Sequence, residues 1–305
     1  MPLPKFVGIG APRCGTRWLA EALAEHPEIS VADGELYFFT KRRVVTSNWA
    51  KGLDWYSDLI QAAVSAGSVT WGEITPFYLL DQETPELMYD CIPHAKLICC
   101  LRDQSERAYS WYRLFLHFNP SLFATDYSFR RFLTYSNEVY GRDGFYLEHI
   151  MRYLEFYPRE SLLVLLYDDL QSDPVAYIQN VYKFLGVDPS FIPKVTSGPT
   201  NLMELTVPRS KTVQDAAKRL QESRVLRKVR LAGLGETLER LNARRVPRTA
   251  LPQRHQPDRE IRKRMNELYQ VHNIELGRFL GRDLSHWNTG RQSQQADGGP
   301  GGLPR

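Results

Sequence analysis

The sequence predicts an α/β fold of three layers, P-loop-like, in which a central parallel sheet lies between helices. Three observations carry this expectation. Short apolar runs alternate with longer stretches of helical periodicity, the pattern of parallel strands joined by crossover helices. The first of these runs passes through a glycine-bearing loop directly into a helical stretch. The chain has 305 residues, 43% hydrophobic and 24% charged, which is enough to bury the core that a sheet covered on both faces requires.

The elements follow in order. Residues 6–9, 69–73, 96–101 and 162–167 are short and apolar, so each is expected as a core strand. Residues 16–25 read as a helix closed by His26 and Pro27, and residues 104–118 as a second helix rich in aromatic rings. A third is expected over 144–157, ending at Pro158. In residues 174–185, Val175, Ile178, Val181, Tyr182 and Leu185 recur at i, i+3, i+4 spacing, which gives one apolar face, and Gly186 ends the helix. From Arg209 to Arg248 the chain turns basic, with Arg224, Arg227, Lys228, Arg230, Arg244 and Arg245 among Leu and Val residues. A solvated, amphipathic helical insert over about 210–250 is expected there. A last helix over about 257–280 stops before Gly281. The expected organisation is a single domain over 1–287 and a disordered tail over 288–305, where Gly, Gln and Pro leave too few apolar residues to fold.

The formal net charge of +4 suits an enzyme that handles small polyanions and falls short of a dedicated nucleic-acid binder, so no nucleic-acid partner is expected. Cys14, Cys91, Cys99 and Cys100 form no CxxC pair and lack histidines at ligand spacing, so no metal is expected either. Cys99 and Cys100 lie in an apolar run and read as reduced, buried thiols. The first apolar segment runs into the glycine loop without a cleavage site. No apolar run reaches the roughly eighteen residues of a membrane span. A cytoplasmic protein without a transmembrane segment is the expectation.

Two loops carry the functional signal. In Gly8-Ile9-Gly10-Ala11-Pro12-Arg13-Cys14-Gly15-Thr16-Arg17, a strand meets a helix N-terminus through small residues. Such a loop offers backbone N–H groups and the positive end of a helix dipole to an anion. Gly10 and Gly15 have Walker A spacing, but Thr16 and Arg17 replace the Lys and Ser/Thr pair, which disfavours an ordinary nucleotide triphosphatase. The cation sits inside the loop instead, at Arg13, whose planar fork can bridge two phosphate oxygens. The second loop begins at Arg102, at the carboxyl end of a strand, where open α/β sheets bind ligands. Ser110 follows eight residues later, about two helical turns on, so a guanidinium and a hydroxyl can converge on one phosphate. Two phosphate sites on two strand ends call for a nucleotide phosphorylated at both ends.

These residues resemble the sulfotransferase family. Residues 11–19 are similar to its 5′-phosphosulfate loop and residues 101–110 to its 3′-phosphate motif, with the nearest likeness in the carbohydrate branch that includes the heparan sulfate sulfotransferases. The likeness to bacterial members continues through residues 34–39, 52–56, 72–78, 167–170, 184–186 and 280–287. The resemblance implies 3′-phosphoadenosine 5′-phosphosulfate (PAPS) as co-substrate, 3′-phosphoadenosine 5′-phosphate (PAP) as product, a hydroxyl acceptor and no required metal. It places Arg13, Cys14, Gly15, Thr16 and Arg17 at the 5′ end of the nucleotide, Arg102 and Ser110 at its 3′-phosphate, and Arg209 in a later basic loop over the cofactor.

Sulfuryl transfer, like phosphoryl transfer, is expected to rely on positioned cations and N–H dipoles, with Arg13 and Thr16 as candidates. The acceptor hydroxyl also needs a base. Glu35 precedes Tyr37, Phe38 and Phe39 as a glutamate does in the carbohydrate branch, and burial against those rings is expected to raise its pKa. One departure stands out: some carbohydrate sulfotransferases carry a catalytic lysine where this chain has Ile74. His117 and His149 are fallback bases. Two alternatives stay open, a P-loop kinase or NTPase and a nucleotide-binding protein without catalysis.

Overall fold

The computed structural model describes residues 2–41, 47–119, 127–135, 142–197 and 259–289, together with 122, 125, 205–208, 212–213, 216, 243–246 and 255. Its centre is a five-stranded sheet whose neighbouring strands all pair in parallel. In chain order these are β1 (Phe6–Gly10), β2 (Ile29–Val31), β3 (Thr70–Ile74), β4 (Lys96–Leu101) and β5 (Leu162–Leu166). Every residue of β1 and all but the first of β4 are buried. Strands covered on both faces read as unbroken apolar runs rather than alternating ones, which is why Phe6, Val7, Leu97, Ile98 and Leu101 are legible as sheet core.

The spatial order is β2-β3-β1-β4-β5. The chain fills one side of β1 with β3 and β2, then crosses to build β4 and β5 on the other side. The order therefore reverses at β1, and the crevice beyond the carboxyl ends of β1 and β4 is the switch point at which open α/β sheets bind ligands. Val7 stands opposite Leu97 and Gly8 opposite Ile98, after which the register slips so that Gly10 faces Cys99. The slip falls where β1 turns into its loop. Gly8 allows close packing there, since a Cβ would come within 2.8 Å of Ile74 Cγ1.

Helices flank the sheet: α1 (Thr16–Ala24), α2 (Gly52–Ala63), α3 (Thr84–Cys91), α4 (Gln104–Phe118), α5 (Phe129–Tyr135), α6 (Tyr146–Leu154), α7 (Tyr167–Ser172), α8 (Pro174–Leu185), α9 (Arg259–Leu280) and α10 (Ser285–Thr289). The apolar stripe expected on α8 is buried at Ile178, Val181 and Tyr182, and Gly186 closes that helix in the left-handed region. The three-layer α/β class expected from sequence is thus the observed one.

Several boundaries differ. The expected strand over 162–167 stops at Leu166, because Tyr167 already opens α7. The helix expected over 144–157 is shorter, since Arg142–Gly144 forms a separate 3-10 turn. Within the expected helical insert, Ala243–Val246 is a strand paired antiparallel with Leu205–Pro208. That pairing gives the backbone a ladder partner beyond the reach of helical periodicity. Of the rest of that segment only residues 212, 213 and 216 are described, and the tail from 290 on lies outside the described residues. Asn288 and Thr289, assigned to the tail from sequence, belong to α10.

Polar bonds fasten α9 and α10 to the sheet domain. Gln104 Nε2 donates to Asn273 Oδ1 at 2.7 Å and to the Gly144 carbonyl at 3.2 Å, while Asn273 Nδ2 donates to Asn288 Oδ1 at 3.0 Å. Arg282 grips Asp169 through two nitrogens at 3.0 and 2.7 Å, and Trp287 Nε1 donates to Asp168 Oδ2 at 3.0 Å.

Candidate active site

The loop between β1 and α1 is tied to β4 by Ala11 N–H donating to the Cys100 carbonyl at 2.7 Å. It then turns through positive φ at Arg13 (70°) and Gly15 (89°). Glycine tolerates that region freely, but a residue with a Cβ does not. The Arg13 conformation is therefore one the surroundings impose, and such outliers gather at ligand sites. Gly15 caps α1, and a Cβ on it would lie 3.0 Å from Leu170 and from Tyr167. The Cys14 side chain points into the core, its thiol 3.7 Å from the Pro12 carbonyl and its pKa pushed up by burial, so it faces the loop through its backbone alone. Thr16 is buried at the start of α1. The Arg17 side chain is not brought to this site: it is 93% exposed and paired with Glu21 at 2.9 Å.

The second loop converges on the first. Arg13 Nε donates to Ser110 Oγ at 3.1 Å across 97 residues of sequence. Burial, then the positive charge of Arg102, pulls the Arg13 pKa below the usual guanidinium range. Two cations are thus held close enough to repel each other, an arrangement that an anion between them relieves. Arg102 is 6% exposed, lies over the Tyr167 ring with its guanidinium carbon 4.4 Å from the centroid, and reaches Glu106 at 3.3 Å. Arg262 of α9 touches the other Glu106 oxygen at 3.4 Å. Asp103 caps α4 by accepting from Glu106 N–H at 2.8 Å, and burial raises its pKa to about 7.

Glu35 stands on the segment that follows β2. Contrary to the expected burial, the residue is exposed, because Leu36, Phe38 and Phe39 take the inward positions. Its carboxyl is desolvated by its surroundings, which raises the pKa, while a hydrogen bond from the Tyr37 phenol and the charge of Arg13 oppose the rise. Tyr37 carries φ 48°, and its ring lies 5.9 Å from that of Phe77, which lies 5.9 Å from Trp111. Ile74 is 5% exposed and packs against Gly8, in the sheet core.

The fallback histidines divide. His149 is 5% exposed, bonds the Arg142 carbonyl at 3.0 Å and contacts Arg152, which gives it a structural post. His117 lies two turns beyond Ser110 on α4 with a buried Nδ1 that has no hydrogen-bond partner among the described residues. Arg209 lies outside the described residues.

Sequence reasoning missed three contributors. Tyr167 supplies the ring under Arg102 and the wall behind Gly15; its place before Asp168 and Asp169 was visible, but its orientation was not. Arg107, 2% exposed, donates to the Pro12 carbonyl at 3.1 Å and steadies the first loop from the second. Glu73, fully buried, collects three hydroxyl donors beside Ile74. No group of three or more His, Cys, Asp or Glu that could hold a metal occurs among the described residues, and none of their helices is long and apolar enough to cross a membrane.

The sulfotransferase domain family matches residues 3–233. The human bifunctional heparan sulfate N-deacetylase/N-sulfotransferase 3 is 31% identical over 206 residues, covering 62% of this chain and 23% of the relative. The mouse heparan sulfate glucosamine 3-O-sulfotransferase 5 is 31% identical over 194 residues, covering 61% of this chain and 54% of the relative. The chain thus spans about half or less of the length of these relatives. Among solved structures, a sulfotransferase from Alicyclobacillus acidocaldarius superposes with a TM-score of 0.66 at 23% identity, covering 94% of this chain and 99% of that one, a likeness of fold.

Proposed function

Because the chain belongs to the sulfotransferase domain family, we propose that it transfers a sulfuryl group from PAPS to a hydroxyl of a small-molecule or carbohydrate acceptor, releasing PAP and a sulfate ester. The observation that carries this reading is the junction of the two loops at the switch point, where Arg13 bonds Ser110 and stands within electrostatic reach of Arg102. A nucleotide with phosphate at both ends matches two cations on two neighbouring strand ends. A nucleoside triphosphate would call for the lysine that this loop lacks.

PAPS supplies the sulfuryl group on a phosphosulfate anhydride. In the proposed assignment, Arg102 and Ser110 hold the 3′-phosphate, while Arg13, Thr16 and the N–H groups of residues 13–16 hold the phosphosulfate end, with Cys14 and Gly15 contributing only backbone. Arg13 neutralises charge where the phosphate departs, and with Ile74 in the core it carries this role without a lysine at position 74. Glu35 takes the acceptor proton as the new S–O bond forms. The relatives include both N- and O-sulfotransferases, and a hydroxyl is the acceptor proposed here because a carboxylate base serves a weakly acidic alcohol. The rings of Tyr37, Phe77 and Trp111 lead away from Glu35 and offer an apolar wall for the acceptor body. Arg209 remains a proposed contact of the covering loop, and no metal is assigned a part.

The test is calorimetric titration of PAP without magnesium, with ATP for comparison. We expect PAP to bind and Arg102→Ala to weaken it at least tenfold, about 1.4 kcal/mol. Preference for ATP with magnesium would overturn the assignment in favour of a nucleotide triphosphatase. PAP binding without turnover on any hydroxyl or amine acceptor would leave a binding protein.

A further inference from the structure

Glu73 is a buried carboxyl for which the proposed transfer has no use. It is fully buried in β3, and burial pushes its pKa up. Three hydroxyls answer that cost: Thr75 Oγ1 donates to Oε2 at 2.6 Å, and the Tyr56 and Tyr78 phenols donate to Oε1 at 2.7 and 3.0 Å.

Two of these hydroxyls do a second task. Thr75 Oγ1 accepts from Leu36 N–H at 2.9 Å and from Tyr37 N–H at 3.4 Å. The Tyr78 oxygen accepts from Phe38 N–H at 2.9 Å and from Phe39 N–H at 3.3 Å. A hydroxyl has one proton and two lone pairs, and an ionised carboxylate only accepts. With each proton drawn to Glu73, the lone pairs of both hydroxyls are turned toward the backbone amides. Four consecutive N–H groups are thus oriented through the hydroxyls that one carboxyl fixes, and the first of them, Leu36 N–H, also bonds that carboxyl directly. The segment they belong to begins directly after Glu35. It includes Tyr37, held at φ 48°, whose phenol donates back to the Glu35 carboxylate.

We propose that Glu73 is a positioning residue for Glu35, acting through Thr75 and Tyr78 to fix the backbone of residues 36–39 and with it the Tyr37 phenol. The proposal rests on the reading of Glu35 as the base. It assigns work to a buried group four residues before Phe77, a ring of the aromatic wall, and it explains why Tyr37 keeps a backbone conformation that its side chain disfavours.

The experiment uses the full chain and needs no acceptor. Amide hydrogen exchange is read by mass spectrometry over residues 35–40 and over β4 in wild type, Glu73→Gln, Thr75→Val and Thr75→Ser. The Glu35 carboxyl is titrated by carbon-13 NMR, and PAP affinity is measured in each variant. Arg13 and Tyr37 are the charged and titratable groups acting on Glu35 among the described residues. Tyr37 donation favours the ionised form, so its loss should move the Glu35 midpoint upward.

Thr75→Val is expected to raise exchange over 35–40 about tenfold and to raise the Glu35 midpoint, while exchange in β4 and PAP affinity stay at wild-type values. Thr75→Ser, which keeps the hydroxyl, should restore both readings, and Glu73→Gln should follow Thr75→Val. Wild-type exchange and an unmoved Glu35 midpoint in Thr75→Val overturn the proposal. So does equal damage in Thr75→Ser, which would show that volume and not the hydroxyl matters, or an equal rise of exchange in β4, which would show global loosening. Failure of PAP to bind the wild type would instead remove the proposed function and leave the exchange result readable.

Discussion

Arg13 combines three constraints: a backbone with φ 70°, a bond to Ser110 at 3.1 Å, and the opposing charge field of Arg102. A lysine would keep the charge but not the fork, so Arg13→Lys should weaken PAP binding less than Arg13→Met. The latter is expected to cost about 1.5–3 kcal/mol as a charge-assisted hydrogen bond is lost. Arg17 supplies the contrast. Its side chain is solvated and paired with its own helix, so Arg17→Ala should leave PAP affinity within about twofold, since exposed pairs of this kind contribute little. Both outcomes come from the same calorimetric series. At this scale Arg13, Arg102 and Ser110 were legible because strand ends and helical spacing place them without knowledge of packing. The surroundings of Glu35 were not, since they depend on a non-glycine residue, Tyr37, adopting positive φ, which no periodicity announces.

Among the elements, α4 and the loop before α1 do most to shape the site. The Asp103 cap of α4 has a pKa raised to about 7. A carboxyl that holds its proton more tightly when folded contributes stability below its ordinary range near pH 4, and that contribution is lost as pH rises toward 7. Asp103→Asn should therefore flatten the decline in stability between about pH 4 and pH 7, a difference visible in urea unfolding at a series of pH values. Gly15→Ala places a methyl group 3.0 Å from Tyr167 and Leu170 at φ 89°. It should cost about 1–2 kcal/mol of stability from the left-handed backbone alone, seen as a lowered Tm, and should weaken PAP through the displaced Tyr167. The strands β1, β4 and β5 were readable as short unbroken apolar runs, and the helices α1, α4 and α8 because their patterns run for enough residues to show a period. The strand Ile29–Val31 was not, since three residues carry no period, and its partner Thr70–Ile74 lies some forty positions away.

For the molecule as a whole, the strand order β2-β3-β1-β4-β5 is what makes two distant loops into one site. Apolar runs in a sequence predict that strands are parallel and buried, but not which are neighbours, so the junction of Arg13 with Ser110 became visible only with the sheet. A ligand that spans both loops should stabilise the entire domain, raising Tm with PAP concentration as mass action requires, and an unchanged Tm at saturating PAP would contradict the shared site. The segment from Arg282 to Trp287 adds a further dependence. Trp287 is 2% exposed, and its indole holds Asp168 while Arg282 holds Asp169, the two residues that follow Tyr167. The ring that supports Arg102 is therefore braced by residues translated more than a hundred positions later. On the ribosome, a nascent chain halted just before Arg282 would already expose both phosphate loops yet lack the brace behind one of them. Nucleotide capture should accordingly lag behind synthesis of the loops and begin only once this last segment has emerged.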